Sequence, residues 1–199
     1  STIPDNPKHF EYLAGRHVVE SVLQSGSRTP ARLYVSRSHT TPLSESMTEQ
    51  LRKRNVPVVR VGHHNLMAAF KLMNQESSTF VLEATKLAVP ELAGSSVLSL
   101  GSAGLRVIVA LERVSDVLNA GNVCRSACFF GAGALLSSER SAPLNPSTSR
   151  VSAGTLEYMA AEKRVYRAKS LLETLEAHKR AGYRVVGTAV TADPAASSV

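Results

Sequence analysis

Cysteine is scarce: Cys124 and Cys128 are the only two in 199 residues. Both fall in one expected helix, which excludes a disulfide framework and fits a reducing compartment. Four residues apart, they share a helical face. With no second cysteine or histidine pair at ligand spacing nearby, buried small side chains outweigh a metal site. Long apolar runs are also missing, and none approaches the roughly 20 residues of a membrane span. There is no secretory signal peptide, and the chain opens at Ser1 without methionine, which leaves room for a removed leader. Acidic residues are in the minority, 16 against 23 lysines and arginines, giving a formal charge of +7. Such a surface attracts phosphate polyanions and speeds their encounter, although general solubility explains the same excess. Two nucleotide cradles are excluded outright: no G-x-G-x-x-G follows a strand and no G-x-x-x-x-G-K-[ST] occurs anywhere.

What is there is enough apolar side chain for a core. Apolar residues at 43% and charged residues at 20% describe a globular chain of one large domain or two small ones. The first half alternates helical and strand patterns. GRHVVESVLQSG (15–26) carries Val18, Val19, Val22 and Leu23 at helical spacing and stops on Gly26. SESMTEQLRKRN (44–55) reads as a helix capped by Ser44 with a basic end. ARLYVSR (31–37), VPVVRVG (56–62) and STFVLEATKL (78–87) read as strands, with a short helix near HNLMAAFKLM (64–73). A compact α/β layer domain over 10–87 follows. Residues 88–104, AVPELAGSSVLSLGSAG, are small, Ser/Gly-rich and nearly uncharged, as a linker would be.

The second domain is expected over 105–199. It opens with a strand over 105–114, apolar enough to be buried on both faces of a parallel sheet. A helix beginning near Asn119, a strand over 134–140, a long charged helix over 162–180 and a third strand over 184–190 complete it. That order makes an open α/β sheet whose ligands sit beyond the carboxyl ends of its strands. Three strands are few for such a sheet, so a partner or further chain is expected to complete it.

LNAGNVCRSACFFGAG (118–133) places one permanent cation, Arg125, in an otherwise apolar helix. Free backbone N–H groups at the helix start favour an anion, and Asn119 can cap it. Asn122, one turn behind Arg125, and Phe129, one turn ahead, direct the guanidinium toward the same crevice. There it can fork a phosphate or stabilise a hydroxyl losing its proton; alternatively it pairs with Asp116 or Glu112. In SAPLNPSTSRVSAGTLEYM (141–159), two prolines and many hydroxyls shape a loop. Ser152, Ala153 and Gly154 permit close backbone approach before a short helix bearing Glu157, although an ordinary long surface loop fits the same residues.

Together, ERVSDVLNAGNVCRSACFFGAG and SAPLNPSTSRVSAGTLEYM resemble two successive signatures of the SpoU (TrmH-like) RNA 2′-O-ribose methyltransferases of the SPOUT superfamily. YLAGRHVVESVL is similar to the opening of that family's small RNA-binding domain, itself akin to a class of ribosomal RNA-binding proteins. The resemblance covers residues ~10–190. It implies methyl transfer from S-adenosylmethionine to a ribose 2′-hydroxyl of structured RNA, rRNA or a ribosomal precursor, by an α/β-knot domain working as a homo- or heterodimer. Asn119 matches the signature asparagine, and Arg125 the arginine that activates the hydroxyl. Three departures stand out: Val117 replaces a usual proline, Asn74-Gln75-Glu76 replaces a histidine-glutamine-glycine element, and the two later, cofactor-holding signatures would lie beyond Val199.

With RNA as partner, Arg52, Lys53 and Arg54, and again Lys163, Arg164, Arg167 and Lys169, are candidate backbone contacts on two expected helices; solvated helix faces account for the same charges. The altered element and missing signatures also admit a second reading, a family member without catalysis that binds RNA as a ribosome-assembly factor. A cleaved leader before Ser1 would point to mitochondria, and otherwise to the cytoplasm.

Overall fold

Along Pro30–Ser36, Leu33 and Val35 face one side of the strand and Tyr34 the other, so this strand is covered on both faces. The computed structural model describes residues 10–40, 42–66, 79–99 and 105–188. In its first half, strands β1 (Phe10–Ala14), β2 (Pro30–Ser36), β3 (Val58–Val61) and β4 (Phe80–Thr85) form a sheet in the order β1-β4-β2-β3. β4 pairs antiparallel with β1 and β2, whereas β2 and β3 run parallel. Helices α1 (Arg16–Ser25) and α2 (Glu45–Lys53) cover one face. Val18, Val19, Val22 and Leu23 of α1, with Met47 and Leu51 of α2, bury against Leu13, Leu33, Val35 and Leu82. The expected helix signals hold. Gly26 ends α1 at φ 71, a left-handed conformation suited to glycine, and the Ser44 hydroxyl accepts from the Met47 N–H at 3.3 Å.

The second half is a parallel sheet in the order β5-β8-β7-β6. Its strands are β5 (Glu91–Leu92), β6 (Leu105–Leu111), β7 (Ala132–Ser138) and β8 (Val165–Ala168). Helix α3 (Val117–Phe129) crosses from β6 to β7. α4 (Pro146–Val151) and α5 (Thr155–Ala161) follow β7, and α6 (Leu171–Arg180) follows β8. Leu111, Ala120, Cys124, Leu135, Leu156 and Met159 form the main core, with a second cluster under α6 around Leu92, Leu98 and Leu136.

Four expectations change. The long helix over 162–180 is broken, because Val165–Ala168 pairs with β7 and β5 and buries Val165 on one face of the sheet and Ala168 on the other. Lys163 at φ 56 makes the turn, and the Ser170 hydroxyl starts α6 afresh. Residues 184–188 form no strand, so β8 is the sheet's third long member. Within 88–104, Glu91–Leu92 pairs with β8, and Leu92 and Leu98 bury in the core, so this segment is built into the sheet. The 105–114 strand is also not buried on both faces. Among the described residues β6 has a neighbour on one side alone, and Val107 is exposed. The rest of the 64–73 helix beyond the helical residues 63–66, the Asn74-Gln75-Glu76 element, residues 100–104 and the end of the 184–190 strand lie outside the described residues.

Candidate functional site

Helix α3 begins earlier than Asn119. The Asp116 carboxylate accepts from the Leu118 N–H at 3.0 Å and is the true cap, which places Asn119 inside the first turn. Ala120, Gly121, Cys124 and Ala127 make the buried stripe. At Gly121 the helix touches α4: a Cβ there would lie 2.5 Å from Val151 Cβ and 3.2 Å from the Ser152 backbone nitrogen. The opposite stripe, Leu118, Asn122, Arg125 and Phe129, faces outward.

Arg125 is therefore the ninth residue of α3, roughly 12 Å along the helix axis from its start. It lies on a side face and not beyond the strand ends. At about 100° per residue, Asn119 and Arg125 point some 120° apart, so this helix alone does not bring them together. Pairing of Arg125 with Asp116 or Glu112 does not occur. Asp116 caps the helix, Glu112 lies 3.4 Å from Arg113, and Arg125 is exposed with no ion pair among the described residues. Such a guanidinium can fork a phosphate or steady a developing oxyanion.

Around Arg125 lies an apolar surface that the sequence reading did not identify. Leu118, Phe129 and Phe130 are 60%, 82% and 68% exposed, and Val107 on β6 is 48% exposed. Between β6 and α3 runs a groove of about 340 Å³ lined by Val107, Val109, Asn122, Val123, Ser126 and Phe130, among others. The pair Phe129-Phe130 at the end of an otherwise small-residue helix was the available signal.

At the carboxyl ends of β6 and β7 the hydroxyls are committed to the fold. Ser141 Oγ donates to the Leu111 carbonyl at 2.9 Å and accepts from the Val114 N–H at 3.3 Å, tying the two strand ends together. The 141–159 stretch is mostly helical, with the Asn145 side chain capping α4 at the Ser147 N–H, 3.0 Å. Glu157 lies away from Arg125, fully buried against the first half of the chain.

Of the expected basic clusters, Arg52, Lys53 and Arg54 stay together at the end of α2, whereas the 163–169 set is dispersed. Lys53 pairs with Glu49 at 2.7 Å and holds that carboxyl below its usual range. Arg54 lies over the C-cap of α1, where a Cβ on Gly26 would sit 3.3 Å from its Nη2. Arg52 is exposed at the end of α2. Lys163 and Arg164 sit before β8, Arg167 on it and Lys169 beyond it, so they do not share a helix face. Arg164 is turned inward, 2.5 Å from Glu162 and bonded to the Ala132 carbonyl. Cys124 is buried, and burial pushes its thiol up to about 12; burial also raises Cys128.

With the geometry in place, the relatives are informative. The model of the SpoU rRNA Methylase family matches residues 106–198, the stretch that holds β6, α3 and the 141–159 helices. An uncharacterized tRNA/rRNA methyltransferase of Mycolicibacterium gilvum (strain PYR-GCK) is 31% identical over 186 residues, 89% of this chain and 55% of that protein. The mitochondrial rRNA methyltransferase 1 of Homo sapiens is 29% identical over 197 residues, 96% of this chain and 54% of that protein. The chain thus spans about half the length of the curated relatives it matches. A crystal structure of an RNA 2′-O ribose methyltransferase aligns with a TM-score of 0.63 at 21% identity, over 88% of this chain and 61% of that one. The SpoU methyltransferase AviRb of Streptomyces viridochromogenes, solved with AdoMet, aligns at 0.60 and 19%, over 89% and 64%. Those alignments establish the fold, α/β with one mixed and one parallel sheet. Over residues 106–198, then, the chain is similar to the SpoU rRNA methylase family.

Proposed function

We propose that this chain is the RNA-reading half and the first part of the methyltransferase domain of an S-adenosylmethionine-dependent enzyme that methylates a ribose 2′-hydroxyl of rRNA. The observation that carries this reading is the coincidence of the family match with an exposed Arg125 on α3 that has no ion pair among the described residues. Residues 10–87 form the RNA-binding unit, and the stretch from Glu91 onward the opening of an α/β-knot domain. The relatives named as rRNA and tRNA/rRNA methyltransferases, and the neighbours solved with AdoMet, support the substrate class and the cofactor.

In this reading Arg125 meets the RNA at the reacting ribose. Its N–H groups donate to the 2′-oxygen and stabilise that oxygen as it becomes an anion. Asn119, one turn into the helix and exposed, offers an amide to the RNA or the cofactor from a different side. S-adenosylmethionine supplies the electrophilic methyl group. The groove between β6 and α3 is lined mainly by apolar side chains and does not suit the cofactor's charged amino-acid end or its ribose hydroxyls. The exposed Leu118, Phe129, Phe130 and Val107 support a dimer, homomeric or heteromeric. The human mitochondrial relative supports a mitochondrial location.

The test is transfer of a labelled methyl group from S-adenosylmethionine to rRNA by the natural full-length protein, with the product mapped to a ribose. In that protein Arg125→Ala abolishes transfer and leaves RNA affinity within a few-fold. Transfer near wild type would remove Arg125 from the chemistry. Salt-dependent RNA binding without any transfer would favour the assembly-factor reading.

A further inference from the structure

The two sheets meet at a seam built from charge. Arg28 lies between α1 and β2 in the first half, and its side chain is fully buried. Its Nε donates to both carboxylate oxygens of Glu157, at 3.1 Å each, and Glu157, on α5 of the second half, is also fully buried. The Arg28 Nη1 donates to Glu11 at 2.6 Å and to the Thr85 carbonyl at 3.1 Å, both in the first sheet. Two hydroxyls complete the Glu157 shell, Ser27 Oγ from the first half and Ser149 Oγ from the second, each at 2.6 Å. One carboxylate therefore gathers donors from both halves.

Shape reinforces the charge. Gly154 turns between α4 and α5 at φ 84, and a Cβ there would lie 2.1 Å from Ser21 Oγ and 3.1 Å from the His17 carbonyl of α1. No other residue lets α1 approach so closely. At the outer rim Tyr158 donates to Gln24, again across the seam. A buried guanidinium–carboxylate contact, here one N–H shared between both oxygens, is charge-assisted, and losing either partner strands the other without water. Little sliding or rotation is compatible with it.

We infer that Glu157 is a positioning residue that clamps the RNA-reading half onto the methyltransferase half in one fixed orientation. The inference rests on the functional reading above and adds to it a rule for target choice. The methylated ribose must lie at a set distance and angle from the RNA feature held by residues 10–87. A flexible tether would instead let one grip serve several sites.

The clamp can be measured without activity. Spin labels at Thr48→Cys on α2 and Leu172→Cys on α6, both exposed, report the separation of the halves by pulsed electron resonance in a Cys128→Ser background. The expected result is one narrow distance for the parent protein and a broad distribution for Glu157→Ala, with circular dichroism showing both sheets intact. Glu157→Gln, which keeps acceptors for the serines, gives an intermediate width and serves if the alanine variant fails to fold. A broad distribution in the parent, or a narrow one in a folded Glu157→Ala, overturns the inference. In the full-length enzyme, Glu157→Ala lowers kcat on structured RNA by about tenfold or more with RNA affinity nearly unchanged, and Glu157→Gln recovers part of it. An unchanged kcat also overturns it. Absence of methyl transfer by the parent would refute the functional reading alone, leaving the spin-label result to decide the clamp.

Discussion

Gly121 sets two effects against each other. It sits inside α3, where replacing glycine with alanine ordinarily stabilises a helix by about 1 kcal/mol. Here the new Cβ would lie 2.5 Å from both Cβ and Cγ1 of Val151. Both Cβ atoms are fixed to helix backbones, so relief requires α4 to move off α3, and overpacking of this kind costs about 1–3 kcal/mol. Packing should win. Gly121→Ala is expected to destabilise by up to about 2 kcal/mol, lowering the midpoint by up to about 8 °C for a chain of this size. The decisive step is a second substitution. In a Val151→Gly background the collision with the valine is gone, leaving only a 3.2 Å approach to the Ser152 nitrogen, so the same Gly121→Ala becomes neutral or stabilising by up to about 1 kcal/mol. Urea titrations of the four proteins measure both legs of the cycle. A stabilising Gly121→Ala in the parent, or the same sign in both backgrounds, would refute the close crossing of α3 and α4.

Other consequences are simpler to check. Asp116→Ala should cost about 1 kcal/mol by uncapping α3 and Asp116→Asn should restore most of it, readable by the same titrations. Burial holds the Cys124 thiol up to about 12 in the folded protein, whereas the unfolded chain ionises near the ordinary ~8.5. Its share of stability is therefore full below that lower value and is lost as pH rises toward the folded one, by about 1.4 kcal/mol per pH unit. Cys124→Ala should flatten stability against pH above about 9, and an unchanged slope would count against the burial. Reversing the charges of Arg52, Lys53 and Arg54 together should weaken RNA binding and flatten its salt dependence, with unchanged affinity and slope removing the cluster from the RNA surface. Phe129→Asp should shift any dimer toward monomer in sedimentation, and an unaltered dimer would place the interface elsewhere.

Local signals carried much of the architecture, and distant pairings did not. α1 and α2 were readable because periodicity, a closing Gly26 and a capping Ser44 all agreed. β8 was hidden because four residues of strand, VYRA, sit in a stretch whose charges recur at helical spacing, and only the ladders with β7 and β5 decide the matter. β5 is two residues long, too short for any periodicity. At the site, the identity of Arg125 was legible but its direction was not, since that depends on Asp116 rather than Asn119 starting the helix. The residue just before the apolar run was the better cap, and its carboxylate was in plain view. Glu157 looked like an ordinary helix residue because its partners lie 129 and 130 positions away.

That separation has a consequence in time. β4 closes the first sheet at Thr85, so this sheet can form while residues 149–157 are still unmade. Arg28 is synthesised 129 residues before Glu157, an interval of roughly 6–26 s at common translation rates. During that wait its guanidinium stands in water beside Glu11. The later arrival of α5 dries it, which makes docking of the halves a distinct late event in the birth of the protein. Ribosomes paused after β4 has left the exit tunnel but before α5 is made should therefore carry a first half with α1 uncovered and open to whatever else in the cell binds an exposed helix face.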